Sequence, residues 1–114
     1  MIGCDLQCFD KIKSPEKLFE KIGNFKEKEY AFSGNIKQNV GTLWAVKEAV
    51  FKALDLKQRL EFFKDIVYLH AENGRPKVEL FGKAKERFQS LNMTKIDISV
   101  SHSSGFVMAV CEIC

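Results

Sequence analysis

Only two prolines and seven glycines interrupt the 114 residues. Collagen-like repeats and Pro/Gly-rich disorder are excluded on that ground. No apolar run approaches the roughly 20 residues that a bilayer crossing needs. Met1-Ile2-Gly3-Cys4-Asp5 shows no basic stretch followed by an apolar one, so no export signal is expected. A dominant charge is also missing: 18 basic side chains face 15 acidic ones, for a net charge of +3. That excess is too small to demand nucleic acid, but it suits anionic ligands or an acidic protein partner. Cysteines are few and sit at the two ends of the chain, Cys4 and Cys8 against Cys111 and Cys114. In a reducing compartment disulfides are not expected. Buried free thiols are the expectation, and a zinc site using the Cys111-x2-Cys114 spacing is the alternative.

What the chain does have is apolar mass. Hydrophobic residues make up 46% of it, and ten are phenylalanine. The length fits one globular domain, residues 1–114. Every active-site group must then come from one small core or from a neighbouring copy.

Alternation predicts a strand over Met1 to Phe9, with Ile2, Cys4, Leu6 and Cys8 on one face and Gly3, Asp5, Gln7 and Phe9 on the other. Ser14-Pro15 signals a helix start, with an end at Gly23-Asn24. Lys26-Glu27-Lys28-Glu29 alternates in sign and reads as solvated surface. The strongest helix is expected at about residues 37–55. Asp65 to His70 and Lys77 to Phe81 read as strands joined by a turn at Asn73-Gly74-Arg75-Pro76. A helix over Gly82 to Leu91 and strands over Lys95 to His102 and Phe106 to Ile113 complete the order. Hairpins mixed with helices predict an α+β domain, a mostly antiparallel sheet packed against one long and several shorter helices.

The long helix carries a core stripe of Leu43, Val46, Val50, Ala53 and Leu54. Its other side sets Glu48 and Lys52 among Gly41, Trp44, Ala45 and Phe51. That pair reads either as an i,i+4 ion pair on a helix buried on two sides, or as the lining of a cleft covered by a ligand or another subunit. Asp5 interrupts a strand, where aspartate is depleted. With Glu48 it offers two hard oxygen ligands, which suits magnesium, and Lys52 would face the same phosphate. Ser99-Val100-Ser101-His102-Ser103 lacks an orienting acid for a nucleophilic serine, so phosphate contact is the better functional reading of His102 and the hydroxyls. Arg75 can grip a phosphate from the hairpin turn.

Taken together, Gly3-Cys4-Asp5, the run from Trp44 to Leu54, Asn73-Gly74-Arg75-Pro76 and Ile98 to Ser103 resemble the holo-acyl-carrier-protein synthase family in order and spacing. The resemblance spans nearly the whole chain and implies a 4′-phosphopantetheinyl transferase fold. It implies transfer of the phosphopantetheine arm of coenzyme A to a serine of apo acyl carrier protein, in fatty acid biosynthesis and in the cytoplasm. Adenosine 3′,5′-bisphosphate would be released. It further implies magnesium and a homotrimer with sites between subunits. Carried over by position, Asp5 and Glu48 match metal ligands, and Lys52 with Glu48 the catalytic groups. Lys47, Gly74, Arg75, Pro76, Ser101 and His102 fall to coenzyme A, and Lys11 to the acidic carrier.

Three departures stand out. Leu43-Trp44 replaces Arg-Phe, Lys11 replaces an arginine, and Leu54-Asp55-Leu56-Lys57 lacks the glycines that usually follow the helix, leaving Lys57 or Arg59 to compensate. Two readings from other classes are a small basic nucleic-acid-binding module and a non-catalytic relative that assembles through the long helix.

Overall fold

The computed structural model of the protein describes residues 1–57 and 60–114, so Arg59 lies outside the described residues. The elements in order are β1 (Ile2–Cys8), a 3-10 turn (Phe9–Lys11), α1 (Pro15–Ile22), a second 3-10 turn (Phe25–Glu27), α2 (Lys28–Ala31), α3 (Ile36–Ala53), a 3-10 segment (Leu60–Asp65), β2 (Ile66–His70), β3 (Pro76–Leu80), α4 (Gly82–Ser90), β4 (Ile96–Ser103) and β5 (Phe106–Ile113). β1, β5 and β4 form one antiparallel sheet in that order, and β2 pairs antiparallel with β3 in a second. The α+β expectation holds. No helix among the described residues is long and apolar enough to cross a membrane.

Local chemistry explains the ends of the helices. Pro15 opens α1, where a missing N–H costs nothing; Ser14 precedes it, but its hydroxyl makes no capping bond. The Asn35 side chain caps α3 by accepting from the Gln38 N–H at 3.0 Å. At the other end Asp55 adopts φ +52°, the left-handed conformation that glycine normally supplies. The Leu56 N–H reaches back to the Phe51 carbonyl, and Arg87 Nε donates to the Leu54 carbonyl at 2.9 Å. The turn keeps its shape without glycine, because a left-handed residue followed by these bonds satisfies the last carbonyls of α3.

α3 lies across β1 and β5. Its stripe of Leu43, Val46, Val50, Ala53 and Leu54 is buried, together with Val107, Ala109, Cys111 and Ile113 of β5. The inner face of β1 is the reverse of a thiol-lined core. Gly3, Asp5 and Gln7 face α3, whereas Ile2, Cys4 and Leu6 are exposed. Gly3 decides this: a Cβ there would come within 2.6 Å of the Ala53 amide nitrogen and 3.0 Å of Lys52 Cβ. Strand backbone therefore rests directly on helix backbone, which only glycine permits. Of the four cysteines only Cys111 is buried, and burial raises its thiol pKa to about 12.

The Trp44–Phe51 part of the second side of α3 is covered by the chain itself, as in a helix buried on two sides, while Lys52 stays exposed. Phe63 packs against Trp44 and Phe51 with ring centroids 5.6 and 5.3 Å apart. Phe51 is buried as a result. Phe51→Asp is therefore expected to destabilise the fold.

Candidate active site

Close contact between Gly3 and α3 brings the acid two residues along β1 to the helix. Lys52 Nζ lies 3.1 Å from Asp5 Oδ1 and donates to the Cys4 carbonyl at 3.0 Å. Gln7 Nε2 donates to Asp5 Oδ2 at 2.7 Å, so both carboxylate oxygens are held. Lys52 thus turns to the strand acid rather than to Glu48 one helical turn away. Asp5 is largely covered, while the Lys52 side chain is half exposed and free to reorient. Partial burial holds the Glu48 carboxyl above its ordinary range; the nearby Asp5 adds to the rise and Lys52 opposes it. Asp5, Glu48 and Lys52, expected together from the sequence, are neighbours in the structure.

Among the described residues no group of three or more His, Cys, Asp or Glu side chains could hold a metal. That includes the Cys111–Cys114 spacing, whose two thiols are respectively buried and exposed. Asp5 and Glu48 form a pair. Two carboxylates leave coordination positions for water and phosphate oxygens, which fits magnesium shared with a phosphate ligand and does not fit an all-protein cage.

Lys47, one residue from Glu48, does not belong with the ligand-binding residues. Its side chain is fully buried. Its ammonium lies 2.8 Å from Glu27 Oε1 and donates to the Phe63 carbonyl at 2.7 Å and to that of Ile66. The helical turn that points Glu48 to the cleft points Lys47 into the core, and burial lowers its pKa. Glu27 is correspondingly not solvated surface. Its carboxylate also accepts the N–H groups of Asn24 and Tyr68, each at 2.8 Å.

The residues expected at the nucleotide end fall on two surfaces. Gly74, at φ +83°, forms the tip of the β2–β3 turn. Arg75 and Pro76 border a recess of about 570 Å³ with Ile2, Lys95, Ser99 and Glu112, on the sheet face turned away from α3. Ser101 is on that outer face, opposite Met108. His102 is on the inner side, where its Nε2 lies 2.7 Å from Thr42 Oγ1. Strand alternation separates Ser101 from His102 within one chain. Lys11, exposed, ends the 3-10 turn after β1 and precedes α1.

Two contributors carried little signal in the sequence: Gly3, whose role shows only once β1 is laid on α3, and Thr42, a polar residue inside an apolar stretch of helix.

The chain is similar to known proteins in sequence and in fold. Residues 1–111 match the family model described as the 4′-phosphopantetheinyl transferase superfamily. A holo-[acyl-carrier-protein] synthase of Caldicellulosiruptor saccharolyticus is 36% identical over 113 residues, spanning 95% of this chain and 90% of that protein. The fatty acid synthase subunit alpha of Schizosaccharomyces pombe is 28% identical over 96% of this chain, which matches 6% of that much longer polypeptide. The crystal structure of Helicobacter pylori holo-[acyl-carrier-protein] synthase in complex with coenzyme A superposes with a TM-score of 0.83 at 26% identity, covering 100% of both chains.

Proposed function

This chain belongs to the 4′-phosphopantetheinyl transferase superfamily, and from that premise we propose that it is a holo-acyl-carrier-protein synthase, with residues 1–114 acting as one catalytic domain in the cytoplasm. It transfers 4′-phosphopantetheine from coenzyme A to a serine of apo acyl carrier protein, in the service of fatty acid synthesis. The serine oxygen forms a bond to the phosphorus that carries the pantetheine arm. The bond from that phosphorus to the bridging pyrophosphate oxygen breaks, adenosine 3′,5′-bisphosphate departs, and the serine proton is lost. The observation that carries this reading is the convergence of Asp5, Glu48 and Lys52 where β1 rests on α3.

Asp5 and Glu48 are the residues that would hold magnesium, which supplies charge neutralisation and polarisation of the pyrophosphate. Gln7 keeps the Asp5 carboxylate oriented. Lys52, anchored loosely on Asp5 and the Cys4 carbonyl, is placed to swing to the departing phosphate and stabilise its growing charge. Mass spectrometry of apo acyl carrier protein incubated with this protein, coenzyme A and magnesium tests the whole reading. The expected product is a serine-linked phosphopantetheine adduct, and an unmodified carrier overturns it.

Lys11 is the contact for the acidic carrier, because it is exposed just before α1, with Lys13 exposed beside it. Lys11→Glu is expected to raise KM for the carrier about tenfold and leave KM for coenzyme A unchanged. Steady-state kinetics with each substrate varied in turn decide this, and an unaltered carrier KM removes Lys11 from the interface.

The subunit contact of a homotrimer belongs on the outer sheet face. Ile2, Leu6, Met108 and Phe106 are 69%, 60%, 46% and 43% exposed there, and the β1–β5 register sets Leu6 directly beside Met108. Contiguous apolar surface of this kind is a usual mark of association. The Arg75–Pro76 recess opens on the same face. Leu6→Glu is expected to yield monomers by sedimentation and to lose activity with the assembly. A Leu6→Glu trimer with full turnover would refute this contact.

A further inference from the structure

The side chain that holds His102 is Thr42, and its protons can be counted. Thr42 is fully buried in α3. Its hydroxyl has one proton and two lone pairs. The Gln38 carbonyl, one turn back, accepts that proton at 2.8 Å, the usual back-bond of a helical threonine. The His102 ring nitrogen is the other neighbour, at 2.7 Å. With the only proton directed to oxygen, the short contact to the ring is made by Nε2–H donating to a Thr42 lone pair.

We propose that Thr42 is a positioning residue for His102: it fixes the imidazole as the Nε2–H tautomer and fixes the ring plane, so that Nδ1 is presented, as an acceptor, to a ribose hydroxyl or adenine amino group at the nucleotide end of coenzyme A. The proposal rests on the reading above in which His102 meets that end of the substrate. Its geometric part stands without it. β4 supplies the ring, α3 supplies the anchor, and the contact spans 60 residues of sequence. A ring fastened at one nitrogen loses its rotational freedom before the ligand arrives, which is the advantage of preorganisation. Because the anchor touches no reacting atom, its effect falls on substrate affinity rather than on the chemical step.

Long-range proton–nitrogen NMR correlations on the free protein read the tautomer directly. Wild type is expected to show His102 protonated on Nε2 and bare on Nδ1. Thr42→Val keeps the volume and removes the acceptor. It should lose that pattern in favour of mixed tautomers and raise KM for coenzyme A about fivefold, the worth of one hydrogen bond, with kcat little changed. Thr42→Ser restores the hydroxyl and should restore both readouts. A wild-type ring protonated on Nδ1, or a Thr42→Val spectrum identical to wild type, overturns the tautomer assignment. A Thr42→Val enzyme with wild-type KM, where His102→Ala raises it, overturns the positioning role. If His102→Ala itself leaves KM unchanged, the placement of His102 at the substrate fails, and the NMR result distinguishes that failure from the other two.

Discussion

Replacing Glu48 by glutamine is expected to abolish phosphopantetheine transfer and, in the same protein, to raise the melting temperature measured in chelator. The loss of turnover should be about a hundredfold or more, the usual cost of removing one charged group aimed at a reacting phosphate. The gain in stability follows from the carboxyl's position. Burial and the Asp5 charge raise its pKa, so the folded state favours the protonated acid more than the unfolded chain does. Such a group contributes stability at low pH and loses that contribution as pH rises through the raised value. At neutral pH the ionised Glu48 therefore works against folding, and a neutral amide relieves it. The rise should be modest, roughly 1–3 °C, because solvent still reaches the side chain. Turnover assays with magnesium and calorimetry without it test the two halves separately. Full activity in the variant would remove Glu48 from the site, and a lower melting temperature would mean that its charge supports the fold.

The opposite balance is expected one residue earlier. Lys47→Ala should destabilise the protein by about 3–5 kcal/mol, because it strands the Glu27 carboxylate in the core without its cation. Lys47→Met combined with Glu27→Gln removes both charges and keeps an acceptor for one of the Asn24 and Tyr68 amides. It should recover a large part of the loss, because the cost of the single change comes from the orphaned charge. Denaturant titration of the three proteins gives the comparison. A Lys47→Ala loss below about 1 kcal/mol, the range of an exposed pair, would contradict the buried geometry. Neighbouring charged positions on α3 thus serve different ends, Glu48 chemistry at the expense of stability and Lys47 stability alone.

Periodicity makes most of the fold legible in the sequence. The bounds of α1 and β5 follow from Pro15, Gly23 and the turn at Ser104-Gly105, and α3 from a long stretch without proline. The pairing of Asp5 with Glu48 and Lys52 was legible because carboxylates in a strand and in an otherwise apolar helix stretch break the local rules. Three features were hidden. Alternation divides β1 into two faces but does not say which is inner; the missing Cβ of Gly3 decides that, and it selects the face with Asp5 over the one with Ile2 and Leu6. Glu27 sits in a mixed-charge run that looks solvated, and its burial depends on a lysine 20 positions away. The face of α3 carrying Trp44 and Phe51 looks unpartnered along the helix, and its cover, Phe63, comes from a segment with little pattern of its own.

The pairing of β1 with β5 has a mechanical consequence. Ile2 is registered opposite Glu112, so the outer ends of the first and last strands leave the sheet at the same edge. Tension applied to both ends unzips this ladder one pair at a time instead of shearing all its bonds at once. Unzipping begins at Ile2 and next lifts Gly3 off α3, and Asp5 follows two residues later. A pulling force on the ends therefore separates Asp5 from Glu48 and Lys52 while Val46, Val50 and the rest of the α3 core are still packed. Catalysis should fail under load before the fold does, and a molecular motor that draws on both ends would disarm this enzyme well before unfolding it.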